Sequence, residues 1–260
     1  MKLNDISLEL DKEFCNLTSF LKKDIVNKVL SSSIEYPTID KKILLPRDRR
    51  IYGYESLIGM SYDYAIRFLY SYKINKNIES PLYDSIGFKL EKNKNKILND
   101  FKIIQSKDKL LGIIDLSFKM SINEVLYRSG KEIKFNDFEK QNIDNIYEEI
   151  KKLLKISFQK ISEHKNDDLI DFNPNFSYSH IIADGDIIID DTLIDFKAVS
   201  YLNGVNNHIN QLVMYSILNE YNNNFNIKKI QIYYPRFDIY PIFELDKIIK
   251  DKDSIINLLK

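Results

Sequence analysis

Cysteine is almost missing from this chain: Cys15 is the only one in 260 residues. A single thiol excludes a disulfide framework within the chain and excludes zinc or iron–sulfur sites built from clustered cysteines. Glycine and proline are also scarce, with seven and six copies, so the loops are expected to be short or polar. No apolar run approaches the ~20 residues that a membrane-spanning helix needs. The opening MKLNDISLELDKEF carries Asp and Glu where a signal peptide needs an apolar core. Net charge is absent as well, with Lys plus Arg and Asp plus Glu equal at 38 each. The whole molecule therefore generates no field that gathers nucleic acid, and only a local basic groove would do so. A cytoplasmic protein in a reducing compartment, with no membrane association, is expected.

What the chain has in quantity is apolar surface. Hydrophobic residues make up 44% and aromatic residues 12%, enough for a sizeable core and a globular fold. Apolar spacing predicts helices over about 5–30, 55–72, 85–128 (broken), 136–165 and 205–222. A connector is expected over 31–50 and a subdomain boundary in the polar, turn-rich stretch EHKNDDLIDFNPNFS. Strand, turn, strand follows over 178–199, and two further strands over 228–245 flank a turn near Arg236 and Phe237. The expected class is α/β, with a mostly helical portion over 1–175 and a β-β-α-β-β unit over 176–260.

The stretch HIIADGDIIIDDTLIDFKAV, His180 to Val199, raises the chemical question. A turn at Asp190-Asp191 sets Asp186 opposite Asp195 and Asp184 opposite Lys197. Side chains on one sheet face repeat every second residue. One face then carries Asp184, Asp186, Ile188, Leu193, Asp195 and Lys197. The other carries Ile187, Ile189, Ile194, Phe196 and Ala198 and is expected to be the core face. Directly opposed Cβ atoms lie ~4.5–5.5 Å apart, and two ionised carboxylates that close repel unless a cation lies between them. Asp186 and Asp195 are thus spaced to share a hard divalent ion such as Mg²⁺, which takes oxygen ligands at ~2.0–2.1 Å. Lys197 would orient an attacking water or offset phosphate charge. The plain alternative is a solvated hairpin face with a Lys–Asp pair. Acid-x-Lys triplets recur elsewhere, as in Asp100-Phe101-Lys102, so the hairpin context carries the weight.

The next helix presents His208, Gln211 and Tyr215 at i, i+3 and i+7, a polar stripe beside its apolar one. Gln211 is expected to face the acids or a nucleic-acid phosphate. Together, ADGDIIIDDTLIDFKAV and NQLVMYSIL resemble the PD-(D/E)XK nuclease superfamily, in particular its RecB-like branch. The resemblance implies a restriction-endonuclease-like core, meaning a mixed central sheet flanked by helices. It implies Asp186, Asp195, Lys197 and Gln211 as catalytic residues, with Asp186 and Asp195 as metal ligands. Asp184 is a second candidate for the first acid, and Asp186 is preferred. SLIGMSYDYAIRF resembles the family's earlier helix, setting Gly59 near the sheet and adding Asp63 or Glu55 as a metal ligand. Asp63 with Arg67 at i+4 also reads as a helix salt bridge. GIIDLSFK, Gly112 to Lys119, mimics the first-acid pattern inside a helical stretch and is a decoy.

The activity implied is Mg²⁺- or Mn²⁺-dependent hydrolysis of DNA phosphodiester bonds, in repair, recombination or defence against foreign DNA. Protein partners in such a complex are implied too. Tyr215, Arg236, Arg49 and Arg50, with Arg47 beside them, are the candidates for contacts to DNA. The lone Cys15 sets the chain apart from the iron–sulfur subgroup of the branch. The alternative from another class is a catalytically inactive nuclease-fold subunit that binds DNA or serves assembly.

Overall fold

Three consecutive isoleucines, Ile187 to Ile189, lie at the centre of the molecule because both faces of their strand are covered. The computed structural model describes residues 15–39, 45–46, 48–51, 53–73, 82, 86–89, 94–95, 97–99, 109–129, 138–161, 169–222 and 224–259. In chain order the strands are β1 (Cys15–Asn16), β2 (Ile170–Phe172), β3 (Ile181–Ile182), β4 (Ile187–Ile189), β5 (Thr192–Phe196), β6 (Lys229–Tyr233) and β7 (Ile242–Glu244). The helices are α1 (Leu17–Leu21), α2 (Asp24–Ser33), α3 (Glu55–Lys73), α4 (Ile86–Lys89), α5 (Lys109–Ser129), α6 (Lys140–Ile161), α7 (Val205–Asn222), α8 (Leu245–Ile248) and α9 (Lys252–Asn257). The fold is mixed α/β, as expected. The start of the helix predicted from residue 5 and Arg47 both lie outside the described residues. Among the described residues no helix is long and apolar enough to cross a membrane.

Five strands form one mixed sheet in the order β2-β4-β5-β6-β7. Only β5 and β6 run parallel; the other pairs are antiparallel. Parallel neighbours need a long crossover, and α7 supplies it. The hairpin register is the expected one, with Ile187 on Ile194, Ile188 on Leu193 and Ile189 on Thr192. Its two-residue turn puts Asp190 in the left-handed region at φ 54, which costs a non-glycine residue roughly 1–2 kcal/mol. Burying one isoleucine returns ~1.5–3 kcal/mol, so the apolar strands on either side outweigh that strain.

Three expectations need correction. The face of Ile187, Ile189, Ile194 and Phe196 is the expected core face, yet Ile188 and Leu193 on the acid-bearing face are 2% and 0% exposed as well. They pack with Leu212 and Val213 of α7, while Ile187, Ile189, Ile194 and Phe196 pack with residues of α3, α5 and α6. The stretch expected to be a boundary contains β2, whose Phe172 is buried and whose three residues pair with β4. Finally, Asp184 does not oppose Lys197. Its backbone bridges to Asn175, and the Lys197 N–H donates to the Tyr233 carbonyl at 2.8 Å.

Gly185 is required between the two acids of ADGD. A Cβ built there would lie 2.7 Å from the Phe176 ring and 3.3 Å from Leu193, and Phe176 is itself held by stacking on Tyr215 with ring centroids 5.2 Å apart. Gly59 is different, since an added Cβ meets nothing within 4 Å, so no close approach to the sheet explains it. Overpacking of this kind costs typically 1–3 kcal/mol. Gly185→Ala is expected to lower the urea unfolding free energy by about that amount, while Gly59→Ala holds or raises it. Equal behaviour of the two variants would remove the packing explanation for Gly185.

Candidate active site

The end of the β4–β5 hairpin gathers its acids because each is anchored by its own strand. Asp186 leaves β4 with its carbonyl accepting from the Asn173 N–H at 3.0 Å, and its carboxylate accepts from the Phe196 N–H at 2.8 Å. Asp195 sits inside β5, paired to Ile232 of β6, and is 3% exposed. Lys197 turns back onto it, with Nζ 2.9 Å from Oδ1 and 2.8 Å from Oδ2. The third acid comes from α3. Tyr62 meets Phe196 edge to face at 6.2 Å between ring centroids, and its hydroxyl bonds Ser157 of α6. That contact seats α3 on β5, so Asp63, one residue after Tyr62, joins Asp186.

The charges within this group do not balance. Asp63, Asp186 and Glu124 act on the Arg67 charge, and Asp195, Asp186 and Asp63 act on that of Lys197. Four acids thus face two cations. Asp63 is ion-paired with Arg67 along the helix, yet burial, with repulsion from Asp186 and Glu124, pushes its carboxyl up to about 7. Burial and the Asp195 charge push Asp186 up to about 6. Burial alone would lower Lys197, but Asp195 and Asp186 more than offset it and hold the ammonium charged. Asp63 Oδ1 is buried without a hydrogen-bond partner, and Asp195 Oδ2 touches Lys197 without hydrogen-bond geometry. Hard carboxylate oxygens in negative excess, one of them orphaned, fit Mg²⁺ or Mn²⁺ in chemistry. Among the described residues no three His, Cys, Asp or Glu side chains are already closed on one metal position.

The other expected residues divide. Asp184 is exposed at the rim, while the Asp186 carboxylate turns inward and accepts from the Phe196 N–H. Glu55 opens α3 eight residues before Asp63, about 12 Å along the axis. Gln211 donates to the Tyr215 hydroxyl at 2.8 Å, a partner on its own helix rather than one of the acids. Tyr215 is 5% exposed and stacked on Phe176, which leaves no face for a base. Arg236 is 2% exposed, ion-paired with Glu149 of α6, and its Nε donates to the Ala198 carbonyl at 3.3 Å. It is therefore a buried brace for the loop after β5 and not a DNA contact. Arg50 is exposed and bound to Asp48; Arg49 opens a short 3-10 turn, Arg49–Ile51. The decoy Asp115 lies in α5, bound to Lys119 and Tyr147.

Two participants escaped the sequence reading. Glu124 lies on α5 in a stretch without an interpretable motif; it accepts from the Tyr64 hydroxyl, which in turn accepts from the Gly87 N–H at 3.0 Å. A lone acid among the apolar residues of KMSINEVL was the available signal. His208 was read only as part of a polar stripe. Its Nδ1 lies 2.8 Å from the Tyr234 hydroxyl, and burial plus the Lys197 charge push its pKa down to about 3, so the ring is neutral beside the cluster. Compared with protein-family models, with curated proteins and with solved structures, the chain finds no match in any of the three.

Two measurements follow from these contacts. Removing one partner of a buried ion pair costs ~3–5 kcal/mol, so Arg236→Met is expected to lose about that much in urea unfolding, whereas Arg50→Met loses almost nothing. The second concerns pH. Asp63 and Asp186 bind protons more tightly folded than unfolded, so their contribution favours folding near pH 4 and is lost as pH rises through 6 to 7. His208 works in the opposite direction below its ordinary 6.5, but it cancels in a difference between variants. In chelator-treated buffer, the stability of Asp63→Asn relative to the wild type is expected to rise from pH 5 to pH 8. A flat or falling difference refutes the crowding of carboxylates.

Proposed function

We propose that the chain is a divalent-metal-dependent nuclease that hydrolyses DNA phosphodiester bonds on a restriction-endonuclease-like core. The observation that carries this reading is the meeting of Asp63, Asp186, Asp195 and Lys197 at one end of the hairpin, with carboxylates outnumbering cations. A solvated hairpin face would leave its acids exposed; here Asp195 is 3% exposed and its lysine is bent onto it.

Asp186 and Asp195 would hold Mg²⁺ or Mn²⁺, with Asp63 as the third oxygen donor and Asp184 at the rim. When bound, the metal supplies an acidified water and neutralises charge developing on the phosphate. Lys197, kept charged by Asp195 and Asp186, orients the water and meets the negative charge that gathers as the bond to phosphorus forms. The neutral His208 ring and the Tyr234 hydroxyl wall off the lysine side. Gln211 acts at one remove by fixing Tyr215, whose ring holds Phe176 against Gly185 and so aims Asp186. Tyr201, 70% exposed on the loop after Lys197, is a natural place for a nucleobase to stack. The setting proposed is repair, recombination or defence against foreign DNA, with partners in such a complex.

The test is cleavage of a panel of duplex, single-stranded and branched DNA with Mg²⁺ or Mn²⁺. Wild type is expected to cut at least one form, and Lys197→Ala and Asp195→Ala are each expected to lose at least about 100-fold in rate, the scale set by losing one preorganised charged group. If nothing is cut and both variants keep wild-type Mn²⁺ affinity, the nuclease reading fails. Tight DNA binding without cleavage would favour the inactive subunit.

A further inference from the structure

Arg67 is the cation of the cluster that the proposed chemistry leaves unused. It is 4% exposed. Its guanidinium pairs with Asp63 Oδ2, its Nε donates to the Asp63 carbonyl at 3.3 Å, and its Cζ lies 5.0 Å from the Tyr64 ring centroid. Asp186 and Glu124 also act on its charge. The pair is not an ordinary surface bridge at i+4. It occupies one oxygen of the acid whose other oxygen, Oδ1, is buried and unpartnered.

A planar cation already on Asp63 excludes a second cation of higher charge from the same carboxylate, since like charges a few ångströms apart at low dielectric repel by several kcal/mol. Arg67 holds Asp63 toward its own helix, and Lys197 holds Asp195. The face of Tyr64 and the carboxylate of Glu124 lie beside the guanidinium and offer it a second seat one step away. We infer that Arg67 is a resident counter-cation, which stabilises Asp63 in the metal-free protein and is displaced from it when a divalent metal binds. The inference rests on the metal-binding reading above and adds a competition to it: metal affinity is set partly by the pairing that must be broken.

The test needs no DNA and no cleavage. Mn²⁺ is titrated by calorimetry into chelator-treated wild type, Arg67→Gln and Arg67→Lys, and thermal unfolding is followed with and without the ion. Arg67→Gln is expected to unfold at lower temperature without metal, to bind Mn²⁺ at least about tenfold more tightly, and to gain more in Tm from it. Arg67→Lys is expected to stay near wild type. Equal or weaker binding by Arg67→Gln overturns the role of Arg67 while leaving the metal site standing; no binding by either protein overturns both readings. In case the glutamine variant does not fold, the wild type alone decides. Mg²⁺ is expected to shift the Arg67 Nε–H resonance and to speed its exchange with solvent, and an unmoved resonance at saturating Mg²⁺ overturns the inference.

Discussion

Everything at the open end of the hairpin follows from a shortage of positive charge. Asp63, Asp186, Asp195 and Glu124 are drawn together by apolar packing that has nothing to do with their charge: Tyr62 on Phe196, Phe176 on Tyr215, and the isoleucines of β4 in two cores. Burial of carboxylates is expensive unless each is paired or protonated. The chain answers with one buried cation, Arg67, one half-buried, Lys197, and a raised affinity for protons at Asp63 and Asp186. A structure stabilised only for its own sake has a less costly solution, because an apolar replacement of a buried ion pair is often neutral or better. Retaining four acids around two cations is the cost that the proposed metal-binding role accounts for.

The sheet explains why this crowding is tolerated. Its hairpin is clamped from both sides, so the positions of Asp186 and Asp195 are inherited from strands in which a one-residue slip would turn every side chain, the two acids included, to the opposite covered face. Asp190 contributes at the other end of β4. Its left-handed backbone makes the tight turn, and its backbone and side chain both bond Leu169, which ties the start of β2 to the turn. Arg236 contributes from the turn after β6, holding the carbonyl of Ala198 while its own charge is met by Glu149. Rigid support of this kind matters for a charged site, since a displaced acid here would be a buried charge without a partner.

Much of this was legible from the residues alone, and the reasons are local. The hairpin register was readable because Asp190-Asp191 breaks an apolar run in one place and leaves one way to pair what remains. The helix of Asp63 was readable from its apolar spacing. What could not be read depends on the third dimension. A run of three isoleucines is equally consistent with one buried face or two, and only the packing of α7 against Ile188 and Leu193 distinguishes them. β2 was hidden because three residues in a polar stretch carry no period, and pairing with β4 makes them a strand. Tyr215 and Arg236 look like ligand-binding types in a sequence; their burial reverses that reading.

Arg67 marks the sharpest difference between spacing and environment. At i+4 from an acid, an arginine on a solvated helix is worth a few tenths of a kcal/mol and has no consequence. The same spacing on α3 puts the guanidinium at 4% exposure under the charges of two other acids, Asp186 and Glu124. There its charge is the main thing that keeps Asp63 ionised at all, and even so the carboxyl is held near neutral pH. A group poised between a proton, a guanidinium and an orphaned oxygen is not settled by any one of them. It is the arrangement in which a small divalent cation, entering among hard oxygens, has the most to gain and a defined competitor to displace.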